Sequence, residues 1–321
     1  MSEAMSQPTG ATTVRRFTQA HVDAWRDEGF AIIPGFFTPD EIAPVYAEYE
    51  RLYGSRKRQA DAVAGEDAMG RFNEKQFTNI DSLPYDGSEA LNLMSLHPAL
   101  IDFARALLGA DRVHLYQSHT WAKFTGEANY DQPFHCDFGN HTLTVPSGDE
   151  SERSVDFILY FTDVTDAHGA LHYVTKPDAE AALGKGAGPL YATTAEEQAK
   201  LKAHERSAAG PAGTLVAHGI DTFHRGTNLT APGGFRYTMT CGYKRAGNEM
   251  IGFHVWQAQA PRDWTPVFRG ASAKQLACLG VPAPGDPFWT RRTLKLTQAR
   301  WPDWDMTEWF EKALTGGDAP S

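Results

Sequence analysis

The sequence predicts an all-β core, a sandwich or barrel of short strands, with α-helices packed outside it. Three observations predict it. Short strand-like runs recur from Val113 to Tyr243, at 113–124, 133–137, 141–145, 155–161, 170–174, 213–217, 221–225 and 235–243. Turn formers such as Pro146-Ser147-Gly148-Asp149 and Ala231-Pro232-Gly233-Gly234 separate them, and many short strands at this spacing are the signature of a closed or two-layered β fold. Helical patterns are read before this region, and an Ala/Glu/Lys-rich insert at 178–209, part of it helical, interrupts the strands.

In chain order, residues 1–15 are small and polar and read as a disordered head. Residues 16–321 read as one domain, with a β core at about 111–245 and a Trp-rich C-terminal extension at about 250–315. Thr18-Gln19-Ala20-His21 opens a helix with apolar positions at Val22, Trp25 and Phe30, and 31–37 reads as a short strand. Thr38-Pro39-Asp40-Glu41 is a helix start, because a capping Thr, an early Pro and two acids suit the positive end of a helix. Its apolar stripe runs through Ile42, Val45, Tyr46, Tyr49 and Leu52. Residues 55–88 lack a clear period and read as a long excursion. A further helix spans His97 to Leu108, ended by Gly109. The extension carries Trp256, Trp264, Trp289, Trp301, Trp304 and Trp309, six of eight tryptophans, and that much aromatic surface predicts packing on the core.

Composition excludes several classes. The chain has 321 residues, 41% hydrophobic and 22% charged, enough for a large core. A net charge of −10 without a basic face argues against nucleic acid. Three scattered cysteines, Cys136, Cys241 and Cys278, do not make a disulfide framework and suit a reducing compartment. The opening MSEAMSQPTGATT has no apolar stretch of the signal-peptide kind, and no run approaches the roughly 20 apolar residues of a membrane span. A cytoplasmic protein with a small-molecule substrate, and with neither nucleic acid nor membrane as partner, is the expectation. Oligomeric state is not readable.

Chemistry concentrates in Gln132-Pro133-Phe134-His135-Cys136-Asp137-Phe138. On a strand, side chains two apart share a face, so His135 and Asp137 converge and Cys136 points away. With a second imidazole they form the two-His-one-carboxylate set that holds Fe(II) on one face and leaves the other open. His224, 89 residues on in Asp221-Thr222-Phe223-His224-Arg225, is the best source of that imidazole. Arg236 follows twelve residues later, past the Pro-Gly-Gly turn, so 221–225 and 235–243 are expected to form a hairpin with Arg236 beside the metal. A guanidinium there grips a distal carboxylate, and Thr238 on the same face adds a hydroxyl. An iron triad with one inward arginine is what a 2-oxoacid cosubstrate requires.

These residues, with Val155-Asp156-Phe157-Ile158-Leu159-Tyr160-Phe161-Thr162-Asp163-Val164, Asp166-Ala167-His168-Gly169-Ala170-Leu171, Gly213-Thr214-Leu215-Val216 and His224-Arg225-Gly226-Thr227-Asn228, make residues 17–312 resemble the phytanoyl-CoA dioxygenase family of Fe(II)/2-oxoglutarate oxygenases. The resemblance implies a double-stranded β-helix (a jelly roll of the cupin kind), Fe(II), 2-oxoglutarate and O2, with ascorbate as reductant. It implies His135, Asp137 and His224 as metal ligands, Arg236 as cosubstrate anchor, and Lys123 and Gln117 as further cosubstrate contacts. Asp137 stands where related halogenases have a small residue, which favours hydroxylation. Where the family shows a Pro-Gly-Ser-His-like turn, this chain has Val174-Thr175-Lys176-Pro177-Asp178, so no substrate contact carries over from that turn.

Bland roles remain for most other candidates. His114, His119, His168, His172, His218 and His254 read as hydrogen-bonded structural histidines, although His119, His141 and His172 flank the motifs and are the candidates for substrate contact. Asp221 reads as a turn residue and Arg225 as a surface ion-pair member. The expected function is a 2-oxoglutarate-dependent dioxygenase hydroxylating a small-molecule or acyl substrate with release of succinate and CO2. The alternatives are desaturation, cyclisation or demethylation at the same iron, and a non-catalytic small-acid or metal sensor. Cations for a CoA phosphate are dispersed, at Arg291, Arg292 and Lys295.

Overall fold

The computed structural model describes residues 15–60, 77–85, 88–124, 131–146, 148–186, 188–251 and 262–315. The expected head, much of the 55–88 excursion, His254 and Trp256 lie outside them.

The strands are β1 (Phe30–Ile33), β2 (Phe77–Ser82), β3 (Val113–Phe124), β4 (Ser154–Tyr160), β5 (His172–Tyr173), β6 (Arg206–Ser207), β7 (Leu215–His218), β8 (His224–Arg225) and β9 (Phe235–Arg245). They form a six-stranded sheet, β1-β7-β4-β9-β3-β2, and a three-stranded sheet, β6-β5-β8. Every pairing is antiparallel. The two sheets face each other across a cavity of about 630 Å³. This is a jelly-roll core with flanking helices, the expected class.

The large sheet has a dry face and a wet face, set by the alternation of its strands. Val155, Phe157 and Leu159 on β4, and Tyr237, Met239, Cys241 and Tyr243 on β9, point away from the cavity into the main core. There they meet the helices Gln19–Glu28, Pro39–Ala60 and Pro98–Leu108. Phe157 lies between Phe103 and Tyr243, at ring-centroid distances of 5.7 and 5.8 Å. The helix Pro98–Leu108 forms where predicted: Pro98 occupies its first turn, and Gly109 closes it in the left-handed conformation at φ 58°. Hydroxyls that β3 turns toward the helices are satisfied by tyrosines, Tyr85 on Ser118 at 2.7 Å and Tyr53 on Thr120 at 2.6 Å.

The C-terminal segment continues this core. Trp264, Trp289, Trp304 and Trp309 are buried, and Phe268 stacks on Trp301 at 4.4 Å. The indole N–H groups of Trp289 and Trp309 both reach the Pro282 carbonyl, at 2.9 and 3.0 Å. Backbone tethers complete the attachment, with Leu115 N donating to Cys278 O at 2.8 Å.

Several expected strands are shorter or absent. Residues 141–145 bend instead of pairing, and Leu143 and Val145 are exposed, because no strand lies beside them to bury the alternation. Residues 133–137 pair only at His135, through an isolated bridge to His224. Segments 221–225 and 235–243 are not a hairpin. β8 pairs with β5, whereas β9 runs between β4 and β3 in the other sheet, so the turn at 231–234 crosses from one layer to the other. Residues 89–94 form a helix not expected from the sequence, capped by the Ser88 hydroxyl accepting from Leu91 N. Phe30, expected as a helical position, begins β1.

Replacing Phe157 by Ala should cost about 3–5 kcal/mol of unfolding free energy, the range for a large buried aromatic. Urea denaturation checks this, and a loss below about 1 kcal/mol would contradict the packing described.

Candidate functional site

The cavity between the sheets is lined on the large-sheet side by Gln117, His119 and Trp121 of β3, Asp156 and Ile158 of β4, His218 of β7, and Arg236, Thr238 and Thr240 of β9. Opposite stand Gln132, Pro133, His135, Asp137, Asn140, His141, Leu171, His224 and Gly226. These side chains are the wet half of the alternation that gives the core its dry half.

His135, Asp137 and His224 meet at one end, with one ligand-type atom from each within 4.8 Å of the others. The pairing that joins them is mutual: His135 N donates to His224 O and His224 N to His135 O, both at 3.0 Å. Past His135 the chain leaves the strand. Asp137 is right-handed helical at φ −80°, ψ −7° and opens the short turn Phe138–His141, with Phe138 N bonded to Ile220 O. The convergence is therefore produced by a bridge followed by a helical turn, not by a period of two along a strand. Cys136 packs against apolar neighbours of the smaller clusters, and burial pushes its thiol pKa up.

Backbone contacts orient both rings. His135 Nδ1 lies 2.9 Å from Pro133 O, and His224 Nδ1 lies 3.1 Å from Thr222 O. A carbonyl only accepts, so each Nδ1 carries the proton and each Nε2 keeps its lone pair. Those Nε2 atoms face the carboxylate, at 3.4 Å from Asp137 Oδ1 and 3.2 Å from Oδ2. Burial alone would raise the Asp137 pKa, but His224 and His135 outweigh it and hold the carboxyl well below its usual range. Burial likewise opposes charge on His224, and Asp137 reverses that and raises its pKa. Two neutral-capable imidazoles and one ionised carboxylate, open on the cavity side, are a donor set that fits Fe(II).

Arg236 and Thr238 both line the cavity, as expected. The Arg236 guanidinium donates to Gly169 O. Gly169 sits at φ 71°, and a Cβ there would lie 2.7 Å from Thr227 O and 3.0 Å from Lys123 Nζ, so the residue must be glycine for strands and loop to close. Lys123 lies behind this point and outside the cavity lining. Its Nζ donates to Thr227 O, and burial, aided by the Arg236 charge, lowers its pKa to about 6. Gln117 reaches the cavity, but its amide is bonded to Asp156 at 2.8 Å.

His119 and His141 line the cavity; His172 does not. It is held by Asp166 and Glu205, each at 3.1 Å, on the far side of the small sheet. Arg225 is buried rather than on the surface, paired with Glu205 at 2.9 Å and Asp131 at 3.4 Å over the Phe134 ring. Asp221 holds Lys176 at 2.6 Å and does not touch His224. Sequence reasoning missed several cavity residues, among them His218 and Asp156. His218 lies with its ring centroid 4.8 Å from that of His224. Asp156 had a usable signal: it is the charged residue in an otherwise apolar strand, in alternation with Val155 and Phe157.

A profile of the phytanoyl-CoA dioxygenase (PhyH) family matches residues 25–236, and the chain belongs to that family. An ectoine dioxygenase of Bordetella parapertussis is 29% identical over 155 residues, 48% of this chain and 47% of that protein. The chain spans about half the length of the curated relatives it matches. Among solved structures, the non-heme alpha-ketoglutarate-dependent epimerase SnoN of nogalamycin biosynthesis aligns with a TM-score of 0.53 at 16% identity, covering 71% of this chain and 82% of that one. AviO1 of Streptomyces viridochromogenes aligns at 0.52 and 20%, covering 72% and 96%. These likenesses give the fold.

Lys123 makes stability depend on pH. Between about pH 6 and the ordinary lysine value of 10.5, the unfolded chain holds a proton that the folded chain releases, so this group's contribution rises with pH. Lys123→Met should flatten that rise, read as the difference in urea midpoint between pH 6 and pH 9 in metal-free protein. An unchanged slope would contradict the burial.

Proposed function

We propose that the chain is an Fe(II)/2-oxoglutarate-dependent dioxygenase that hydroxylates a small-molecule or acyl substrate, acting as one catalytic unit over residues 16–321 in the cytoplasm. The observation that carries the proposal is the meeting of His135, Asp137 and His224 at the end of a cavity that also contains Arg236. Family membership supports it, as do relatives named as dioxygenases. Among the described residues, no helix is long and apolar enough to cross a membrane.

In this reading His135 and His224 give Nε2 and Asp137 gives a carboxylate oxygen to the metal. Bound Fe(II) supplies activation of O2 coupled to the conversion of 2-oxoglutarate to succinate and CO2. Arg236 takes the distal carboxylate of the cosubstrate, with Thr238 adding a donor, and so sets which end of it faces the triad. The backbone carbonyls of Pro133 and Thr222 keep the two imidazoles in the ligating tautomer and orientation. Asp137 fills the third protein position, which favours hydroxyl transfer over halogenation. His135→Ala should lower metal stoichiometry, measured by equilibrium dialysis with Mn(II), and abolish succinate release. Full metal binding by this variant would refute the ligand assignment. Arg236→Gln should raise the KM for 2-oxoglutarate by about tenfold or more, the loss expected of a charge-assisted pair. An unchanged KM would remove Arg236 from the anchor role.

A further inference from the structure

Asp156 is a cavity carboxylate that the chemistry above does not use. It is 1% exposed, and the contacts around it form a built arrangement. β3 and β9 lose register between Leu115 and Gln117, opposite Tyr243 and Gly242. This bulge turns two successive side chains, Tyr116 and Gln117, toward the same face. Both donate to Asp156: Tyr116 Oη at 3.1 and 3.2 Å from the two carboxylate oxygens, and Gln117 Nε2 at 2.8 Å from Oδ1. Gly242 leaves the room for them. A Cβ there would lie 2.6 Å from Asp156 Oδ1, 2.6 Å from Tyr116 Cζ and 2.7 Å from Gln117 Cγ.

The hydrogen bonds fix what this wall offers. Tyr116 has one hydroxyl proton and gives it to Asp156, so its oxygen accepts from His141 Nδ1, 2.7 Å away. In the neutral ring that leaves His141 Nε2 as an acceptor. Gln117 commits its amide nitrogen to Asp156, which leaves its carbonyl oxygen to the cavity. One buried carboxylate thus orders a wall of acceptors. We propose that the wall formed by Gln117, His141 and Asp156 recognises the prime substrate through its N–H donors, which makes that substrate a small cationic amine, guanidine or amidine; this rests on the oxygenase reading above.

Charge in the cavity agrees. Among the described residues, Arg236 is the one Lys or Arg in its lining, and as the cosubstrate anchor it would be taken by 2-oxoglutarate. An anionic substrate would meet Asp156 with no cation left to offset it, and a CoA thioester brings phosphates that need several. Burial lowers the His119 pKa, so that ring adds no positive charge at neutral pH. About 630 Å³, shared with 2-oxoglutarate, suits a small metabolite.

The test is succinate release by the full chain with Fe(II), ascorbate and 2-oxoglutarate. The substrates are a metabolite panel sorted into amines and amidines, neutral polyols, carboxylates and acyl-CoA thioesters. Stimulation by members of the first class is expected. For the best of them, Asp156→Asn should raise KM by about tenfold or more with a much smaller change in kcat, as for a lost charge-assisted contact. A variant that loses kcat and melting temperature with KM unchanged would make Asp156 structural and overturn the proposal. Stimulation confined to carboxylates or acyl-CoA would overturn it and leave the oxygenase reading standing. No succinate under any condition would overturn both.

Discussion

The reciprocal backbone pair between His135 and His224 is the constraint on which the site depends. It is a single bridge, yet it joins segments 89 residues apart and aligns two imidazoles whose tautomers are fixed locally. Asp137 then needs only one helical turn of backbone to bring its carboxylate between them. Such a bridge cannot hold on its own strength, because one pair of backbone hydrogen bonds contributes little net stability. It holds because β8 also pairs with β5, and because Phe134 and Phe223, flanking the two histidines, share an apolar cluster with Val174 and Leu201.

The large sheet divides the labour. Its dry face carries most of the burial and its wet face carries the functional groups, and the period of two enforces the division residue by residue. Departures from that period occur where chemistry sits. The bulge at Leu115–Gln117 sends two neighbours to the wet face, and the turn at Asp137 replaces a strand. Glycine permits both kinds of close approach, at Gly169 through its backbone angle and at Gly242 through its missing side chain.

Much of this was legible in the sequence. His135, Asp137, His224, Arg236 and Thr238 were identified from spacing and residue type, and the all-β class from strand-like runs between turn formers. The illegible part is what depends on layers. Nothing local says that β8 and β9 lie in different sheets, because a Pro-Gly-Gly turn serves a hairpin and a crossover equally well. Leu143 and Val145 alternate like a strand, and only the absence of a neighbouring strand exposes them. His172 flanks a motif and still points to the far side, because β5 pairs between β6 and β8. Asp156 was visible as a charge among apolar residues, but its partners come from a bulge that no single-strand pattern reveals.

Arg225 adds a consequence for how the chain tolerates change. Its guanidinium, buried behind the metal-side strand, is clamped by Glu205, which also holds His172. Glu205 lies at the close of the helical insert, and Thr175 caps that insert at its opening. Glu205 thus pins the close of the insert to the small sheet, and between the two ends Gln198 bonds both backbone groups of Phe134 while Leu201 packs in the cluster of Phe134 and Phe223. A change in the insert therefore reaches the site through Phe134, the residue before His135, just as a charge lost at Glu205 reaches it through Arg225, the residue after His224.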